Sequence, residues 1–207
     1  MEHAGVGGMV LVSIEERFVV RAPVERVWDH LVDPRRVVAS VPGADLEEVV
    51  DSRTYLGRIR VWVGPFPMTF RGRVHLAEVD EAARRVKIVG QARESAGAGG
   101  ARMTLASALS PLPGGETRVD ARVEVEAAGR LAALGRGFLQ ELGHQFFEEF
   151  SRRVSTAIEE PEVARGGGPA VAPAGQAPLR ALPLVLMAMR AWVARLLGRP
   201  RSRPAKR

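Results

Sequence analysis

The feature that most constrains this chain is a change of period. From Leu46 to Ala128 apolar and polar residues alternate in steps of two, while the segments on either side repeat at helical spacing. Six stretches carry the alternation: Leu46–Asp51, Thr54–Val63, Phe66–Val79, Arg85–Glu94, Ala101–Leu109 and Thr117–Ala127. Asp-Ser, Gly-Pro, Asp-Glu-Ala, Gly-Ala-Gly-Gly and Pro-Gly-Gly separate them, all sequences that favour turns. The expected product is a meander of antiparallel strands with one apolar face. Leu11–Arg21, rich in Val, Ile and Phe, adds a seventh strand at the front.

Two short helices follow that first strand. Pro23 suits a first helical position, and Val24, Val27, Trp28 and Leu31 form one apolar face. Asp33 is a natural N-cap for Pro34–Ser40, and Pro42-Gly43 ends that helix in a turn. At the other end Leu131–Glu159 reads as a long helix. Leu134, Phe138, Leu142, Phe146, Phe150, Val154 and Ile158 recur in four-residue steps, and the stripe is expected to lie across the apolar face of the sheet. The class is therefore α+β: a curved seven-stranded antiparallel sheet around a long C-terminal helix. A hydrophobic share of 46% and a charged share of 26% are those of an ordinary globular chain. A body of roughly 150 residues buries about two thirds of its unfolded surface, enough for one core and a cavity.

The apolar alternation sends Tyr55, Gly57, Ile59, Val61 and Val63 inward, with Phe66, Met68, Phe70, Gly72 and Val74 beside them. Val86, Ile88, Gly90 and Ala92 follow on the next strand. Gly57, Gly72 and Gly90 carry no side chain, so they either let the sheet curl or leave volume unfilled. The helical region contains Gly129, Gly135, Gly137 and Gly143, each costing about 1 kcal/mol against alanine in a helix interior. Such a helix is either pressed against a neighbour or able to bend. The candidate cavity lining is Tyr55, Gly57, Ile59, Val61, Phe66, Met68, Phe70, Gly72 and Gly90 from the sheet, with Phe138, Leu142 and Phe146 from the helix. Tyr55, Ser107 and Gln145 are the polar groups placed to meet a ligand carbonyl or to be satisfied locally.

Charge divides the chain. Residues 161–207 hold nine basic and one acidic residue, a net of +8, whereas residues 1–160 carry 21 and 23, a net of −2. The body is near neutral, which argues against general nucleic-acid binding. Residues 9–160 are expected to form a ligand-binding domain and 161–178, with four Gly and four Pro, a flexible linker with a root-mean-square span of roughly 25 Å. Residues 179–198 form an amphipathic helix. Leu182, Val185, Leu186, Met189, Trp192, Val193, Leu196 and Leu197 fall within about 140° of its circumference, with Arg180, Arg190, Arg195 and Arg199 opposite. The apolar run is too short to span a bilayer, and Arg190 interrupts it, so an interfacial helix on an anionic membrane surface is the better expectation. Docking on a partner protein is the other. Five basic side chains in the 199–207 tail reinforce the attachment. No basic segment precedes the short apolar stretch at the N-terminus, where Met1 or Met9 is the start, so the chain is expected in the cytoplasm, peripheral on the inner face of the membrane.

Catalytic signals are weak. The absence of cysteine excludes disulfides, thiolate metal sites and thiol nucleophiles. His3, His30, His75 and His144 have no metal-ligand spacing. Gly97-Ala98-Gly99-Gly100 precedes a strand rather than a helix, so it is not a phosphate loop. No catalytic or metal-binding residue and no covalently bound cofactor is assigned.

Several segments in order resemble the carbon monoxide dehydrogenase G-subunit family of the START-like (SRPBCC) superfamily. They are Ala22-Pro23-Val24-Glu25-Arg26-Val27-Trp28, Val41-Pro42-Gly43-Ala44, Val63-Gly64-Pro65 through Thr69-Phe70-Arg71-Gly72-Arg73-Val74, the Ala96–Gly100 turn, Gly129 to Gly135, and Phe146-Phe147-Glu148-Glu149-Phe150. Phe66-Pro67-Met68 departs from the family's more polar stretch, and Pro67 points to an edge or bulge. The resemblance implies a helix-grip fold. It implies a bacterial accessory protein rather than an enzyme, one that binds a quinone or other isoprenoid or lipid ligand and links a molybdenum-containing carbon monoxide dehydrogenase-type enzyme to the membrane. Two other readings stand beside it: a polyketide cyclase or aromatase-like enzyme in the same fold, and a membrane adaptor with no ligand.

Overall fold

The computed structural model describes residues 8–63, 66–97 and 99–159. Strand β1 (Val10–Val20) leads into helices α1 (Val24–Val32) and α2 (Pro34–Ser40). Strands β2 (Ala44–Val49), β3 (Thr54–Val63), β4 (Phe66–Asp80), β5 (Arg85–Glu94), β6 (Gly99–Leu112) and β7 (Glu116–Gly129) follow. A single 3-10 turn, Ala132–Leu134, precedes helix α3 (Arg136–Glu159). The seven strands form one sheet in the order β1-β7-β6-β5-β4-β3-β2, every neighbouring pair antiparallel. The meander runs from β2 to β7, and α1 with α2 carries the chain from the β1 edge to the β2 edge.

Local chemistry sets the helix ends. The Asp33 carboxylate accepts from the Arg35 and Arg36 amides at 2.8 and 3.2 Å, capping α2. Pro23 caps α1 rather than occupying its first turn, and its carbonyl accepts from Arg26 and Val27. The long helix is shorter than its sequence pattern. Gly129 (φ 67°) closes β7 and Gly135 (φ 82°) breaks the chain between the 3-10 turn and α3, both in the left-handed region that favours glycine.

Two hydrophobic clusters hold the β1–β7 side together. One joins Val20, Ala22, Val27, Trp28, Leu109, Val119, Val154 and Ile158, with Phe18 and Phe150 packed against it edge to face. The other joins Val12, Ile14, Ala127 and Leu139. Helix α3 runs along β1, and a Cβ on Gly143 would collide with the Ile14 Cδ1 atom, so this glycine serves close packing. The expected stripe needs correcting. A four-residue step overshoots one turn by about 40°, so seven residues in such steps cannot share a face. Phe150, Val154 and Ile158 reach the core with Leu139, while Phe138, Leu142 and Phe146 are half-buried on another flank.

Candidate functional site

The strand register sorts the sheet into transverse rows, and the alternation expected from the sequence puts the apolar residues on one concave face. One row runs Tyr55–Val74–Gly90–Met103–Val125–Val12. The row beside it runs Gly57–Gly72–Ala92–Ala101–Ala127, a furrow of small residues. On its far side stand Ile59, Phe70 and Glu94. Towards the other end come Leu76, Ile88, Leu105, Val123 and Ile14.

Coverage of this face is uneven. At β1 and β7 it is sealed by α3, as Val12, Val119 and Val123 are all buried. Across β3–β6 it is closed less completely: Ile59, Val61, Val63, Leu76, Ile88, Met103 and Leu105 are half-buried, and Val74 is 37% exposed. Tyr55, Met68, Phe70 and Val86 are buried but belong to neither core cluster. On α3, Gly143 faces Ile14 and His144 meets Glu16, both on β1. At 100° per residue, Phe138, Leu142 and Phe146 therefore lie on the other flank of the helix.

The glycines act by bending the sheet. A Cβ on Gly57 would come 2.7 Å from the Asp45 carbonyl oxygen, and one on Gly72 would collide with that of Gln91. Backbone from the neighbouring strand occupies the space a side chain would need, which permits the sheet to curl tightly. A Cβ on Gly90 would come 3.1 Å from the Met103 side chain. None of the three leaves a void by itself, so the hollow comes from curvature. Phe66, expected inside, is 63% exposed at the β3–β4 hairpin end. Pairing with β5 begins only at Phe70, so nothing on that side shelters it. The same absence of pairing accommodates Pro67, which has no N–H to donate. The register shifts of the sheet fall elsewhere, at Leu46/Glu48 and Leu76/Glu78.

The polar candidates are satisfied locally. The Tyr55 hydroxyl donates to the Ser52 carbonyl at 2.6 Å, and burial, with Asp51 and Asp33 nearby, pushes its pKa up, keeping a neutral phenol. Ser107 donates to the Asp120 carbonyl at 3.0 Å, and the Gln145 amide to Glu141 at 3.1 Å on the same helix. Sequence reasoning missed Glu94, which is 6% exposed and meets Arg130 at 3.4 Å, while its other oxygen has no partner among the described residues. Its inward parity with Ala92 was the available signal. The histidines stay apart: His30 shares a hydrogen bond with Ser40, His75 with Thr54, and His144 with Glu16 on the β1 flank of α3. Among the described residues no cluster of metal-ligating side chains forms, and no helix is long and apolar enough to cross a membrane. His3 and the tail residues of 179–207 lie outside the described residues.

An open trough of about 750 Å³ is lined mostly by residues of opposite parity, with Ala106 and Ala108 among them. Its walls set Arg17, Arg85, Lys87 and Arg122 against Glu15, Glu78, Asp80 and Asp120, a mixture that favours neither sign of ligand. The apolar concave face is the better candidate for a greasy molecule.

Known proteins bear on this geometry. A family model described as the G subunit of carbon monoxide dehydrogenase (CoxG) matches residues 17–159. No curated protein matches the sequence. Among solved structures, a conserved protein from Geobacillus kaustophilus is 17% identical with a TM-score of 0.65, covering 71% of this chain and 95% of its own. The Zhui aromatase/cyclase from Streptomyces sp. R1128 is 20% identical with a TM-score of 0.55, covering 77% and 100%. Truncated norcoclaurine synthase from Thalictrum flavum is 15% identical with a TM-score of 0.51, covering 74% and 97%. At these identities the likeness establishes the fold, which is the helix-grip fold.

Proposed function

This chain belongs to the CoxG family, named for the G subunit of carbon monoxide dehydrogenase, and from that membership we propose that it is an accessory protein carrying a hydrophobic ligand, a quinone, on its concave face. The observation that carries the proposal is the apolar surface across β3–β6 that α3 leaves accessible. Water in contact with apolar area costs about 25 cal/mol per Å², so an apolar ligand that displaces it gains the same free energy. Tyr55, Met68, Phe70, Ile59 and Val61 form the wall on one side. Phe138, Leu142 and Phe146 form the roof. The furrow of small residues through Gly57, Gly72 and Ala92 would seat a flat ring or an isoprenoid chain, and the locally bonded Tyr55 leaves shape and apolar contact as the main source of affinity.

In this reading the protein links a molybdenum-containing carbon monoxide dehydrogenase-type enzyme to the inner face of the membrane, with residues 179–207 as the tether. Holding the domain near the bilayer raises its encounter rate with a lipid-soluble ligand. A cyclase-type enzyme would need an acid–base pair aimed at the ligand. The His144–Glu16 pair lies on the opposite flank of α3 from the proposed roof. The test is mass spectrometry of the purified full chain for co-purified quinone, followed by stripping and reloading. Stoichiometric reloading supports the carrier. A chain that neither retains nor takes up quinone overturns it and leaves a ligand-free adaptor.

A further inference from the structure

The face of the sheet opposite the ligand surface carries an unusual arrangement of charge. On β3 and β4 the parity opposite to Ile59 and Phe70 belongs to Arg58, Arg60, Arg71 and Arg73, and on β5 and β6 to Arg93 and Arg102. The register sets Arg58 directly opposite Arg71, and Arg71 directly opposite Arg93, so three like charges stand side by side across three strands. Gln91 separates Arg73 from Arg102 in the next row. Like charges directly opposite one another destabilise a sheet, so folding does not explain the row. Arg58 is paired with Asp45 and Arg71 with Glu47. Arg60, Arg73, Arg93 and Arg102 are exposed and form no ion pair among the described residues.

The hairpin end beside this patch has the opposite character. Neither Val61–Val63 nor Phe66–Phe70 contains a charged residue, and Phe66 and Pro67 point into solvent, Phe66 at 63% exposure. At about 3.3 Å per residue, Arg60 lies roughly 10 Å from Val63. An exposed aromatic with an adjoining field of unpaired arginines matches the two layers of an anionic bilayer, apolar interior and charged headgroups. An acidic protein surface would pair with the arginines but has no need of the bare phenyl ring.

We propose that the β3–β4 hairpin end and the arginines of β3–β6 form a second membrane contact, on the folded body, that binds anionic lipid and brings the rim of the concave face to the bilayer. This rests on the reading of the chain as a carrier that works at a membrane. It adds that the body itself docks, and that docking is oriented. Phe66 and Val63 share the ligand-facing parity, so a ligand leaving along β3 and β4 would emerge at the lipid.

The experiment is co-sedimentation of the full chain with vesicles of phosphatidylcholine alone or mixed with phosphatidylglycerol. R60E/R73E and F66D are compared with R26E/R35E, which lowers net charge equally at exposed positions on α1 and α2. The expected result is a loss of roughly tenfold or more in partitioning to anionic vesicles for R60E/R73E, a smaller loss for F66D, and little change for R26E/R35E. Unfolding midpoints check that each variant folds. Equal losses in the two double variants would reduce the effect to net charge and overturn the proposal. So would unchanged binding of R60E/R73E, which would point to an acidic protein as the partner of the arginines. Quinone uptake measured in detergent, without vesicles, separates the two ideas: R60E/R73E should load like the parent chain, and failure of the parent to load removes the carrier while leaving the vesicle result standing.

Discussion

The two sides of the sheet solve different problems with the same strand geometry. At β1 and β7 the inner face meets α3 directly: Ile14 fills the gap at Gly143, Phe18 packs on Phe150, and Val20 and Val154 are shut off from solvent. Across β3–β5 the inner face bends away, its bend permitted by Gly57 and Gly72, and it is closed less completely, with Ile59, Leu76 and Ile88 only half-buried. Stability is thus concentrated on one side, leaving the other free to present apolar surface. The difference also explains how the fold tolerates an exposed hydrophobic face: the sealed side supplies the cooperative core.

That contrast can be broken in several ways. The largest effect is expected from Trp28→Ala, which empties the centre of the sealed core and should lower unfolding free energy by about 3–5 kcal/mol in a urea titration. Ile88→Ala, on the open face, should cost less, about 1–2 kcal/mol, because that side chain is only partly buried. Equal losses would mean that the two sides are packed alike.

A smaller change in stability but a sharper change in function is expected from Leu105→Trp, in the row between Ile88 and Val123. Filling the hollow should leave the urea midpoint nearly unchanged and weaken quinone uptake by roughly tenfold, about 1.4 kcal/mol. A marked loss of stability instead would show that Leu105 faces a filled core.

The smallest effect concerns acid. Asp120 accepts from Arg17, a bond joining β7 to β1, and that hydrogen bond holds its pKa below the usual carboxylate range. On α3 the Arg152 hydrogen bond does the same for Glu149. A carboxylate with a depressed folded pKa stabilises the fold above its unfolded pKa and loses that contribution as pH falls through the folded value. The urea midpoint should therefore decline as pH falls through and below the ordinary carboxylate range, about 4, modestly because the pairs are largely solvent-exposed. Asp120→Asn should remove part of the slope, and an unchanged slope would show that this pair does not tie β1 to β7.

Much of this architecture was legible in the residues alone. The period-two run with its turn dipeptides specified six strands, the Val-Ile-Phe segment specified the seventh, and Asp33 marked a helix start that its carboxylate does cap. Alternation also assigned the inward parity of Tyr55 to Val61 and of Val86 to Ala92, because side chains on a strand must alternate whatever the strand packs against. Partnership could not be read this way. Four-residue steps on α3 suggested one stripe, but which of its residues meet β1 depended on where Gly135 broke the helix and how closely Ile14 approached Gly143. The inward glycines are compatible with either a bend or unfilled volume, and only the neighbouring carbonyls at Gly57 and Gly72 decide for the bend. The arginine row exists only through register, which aligns residues 58, 71 and 93 from distant parts of the chain. Periodicity is a property of the local backbone and is written in order along the chain, whereas proximity between strands and across the helix is decided by closure of the whole fold.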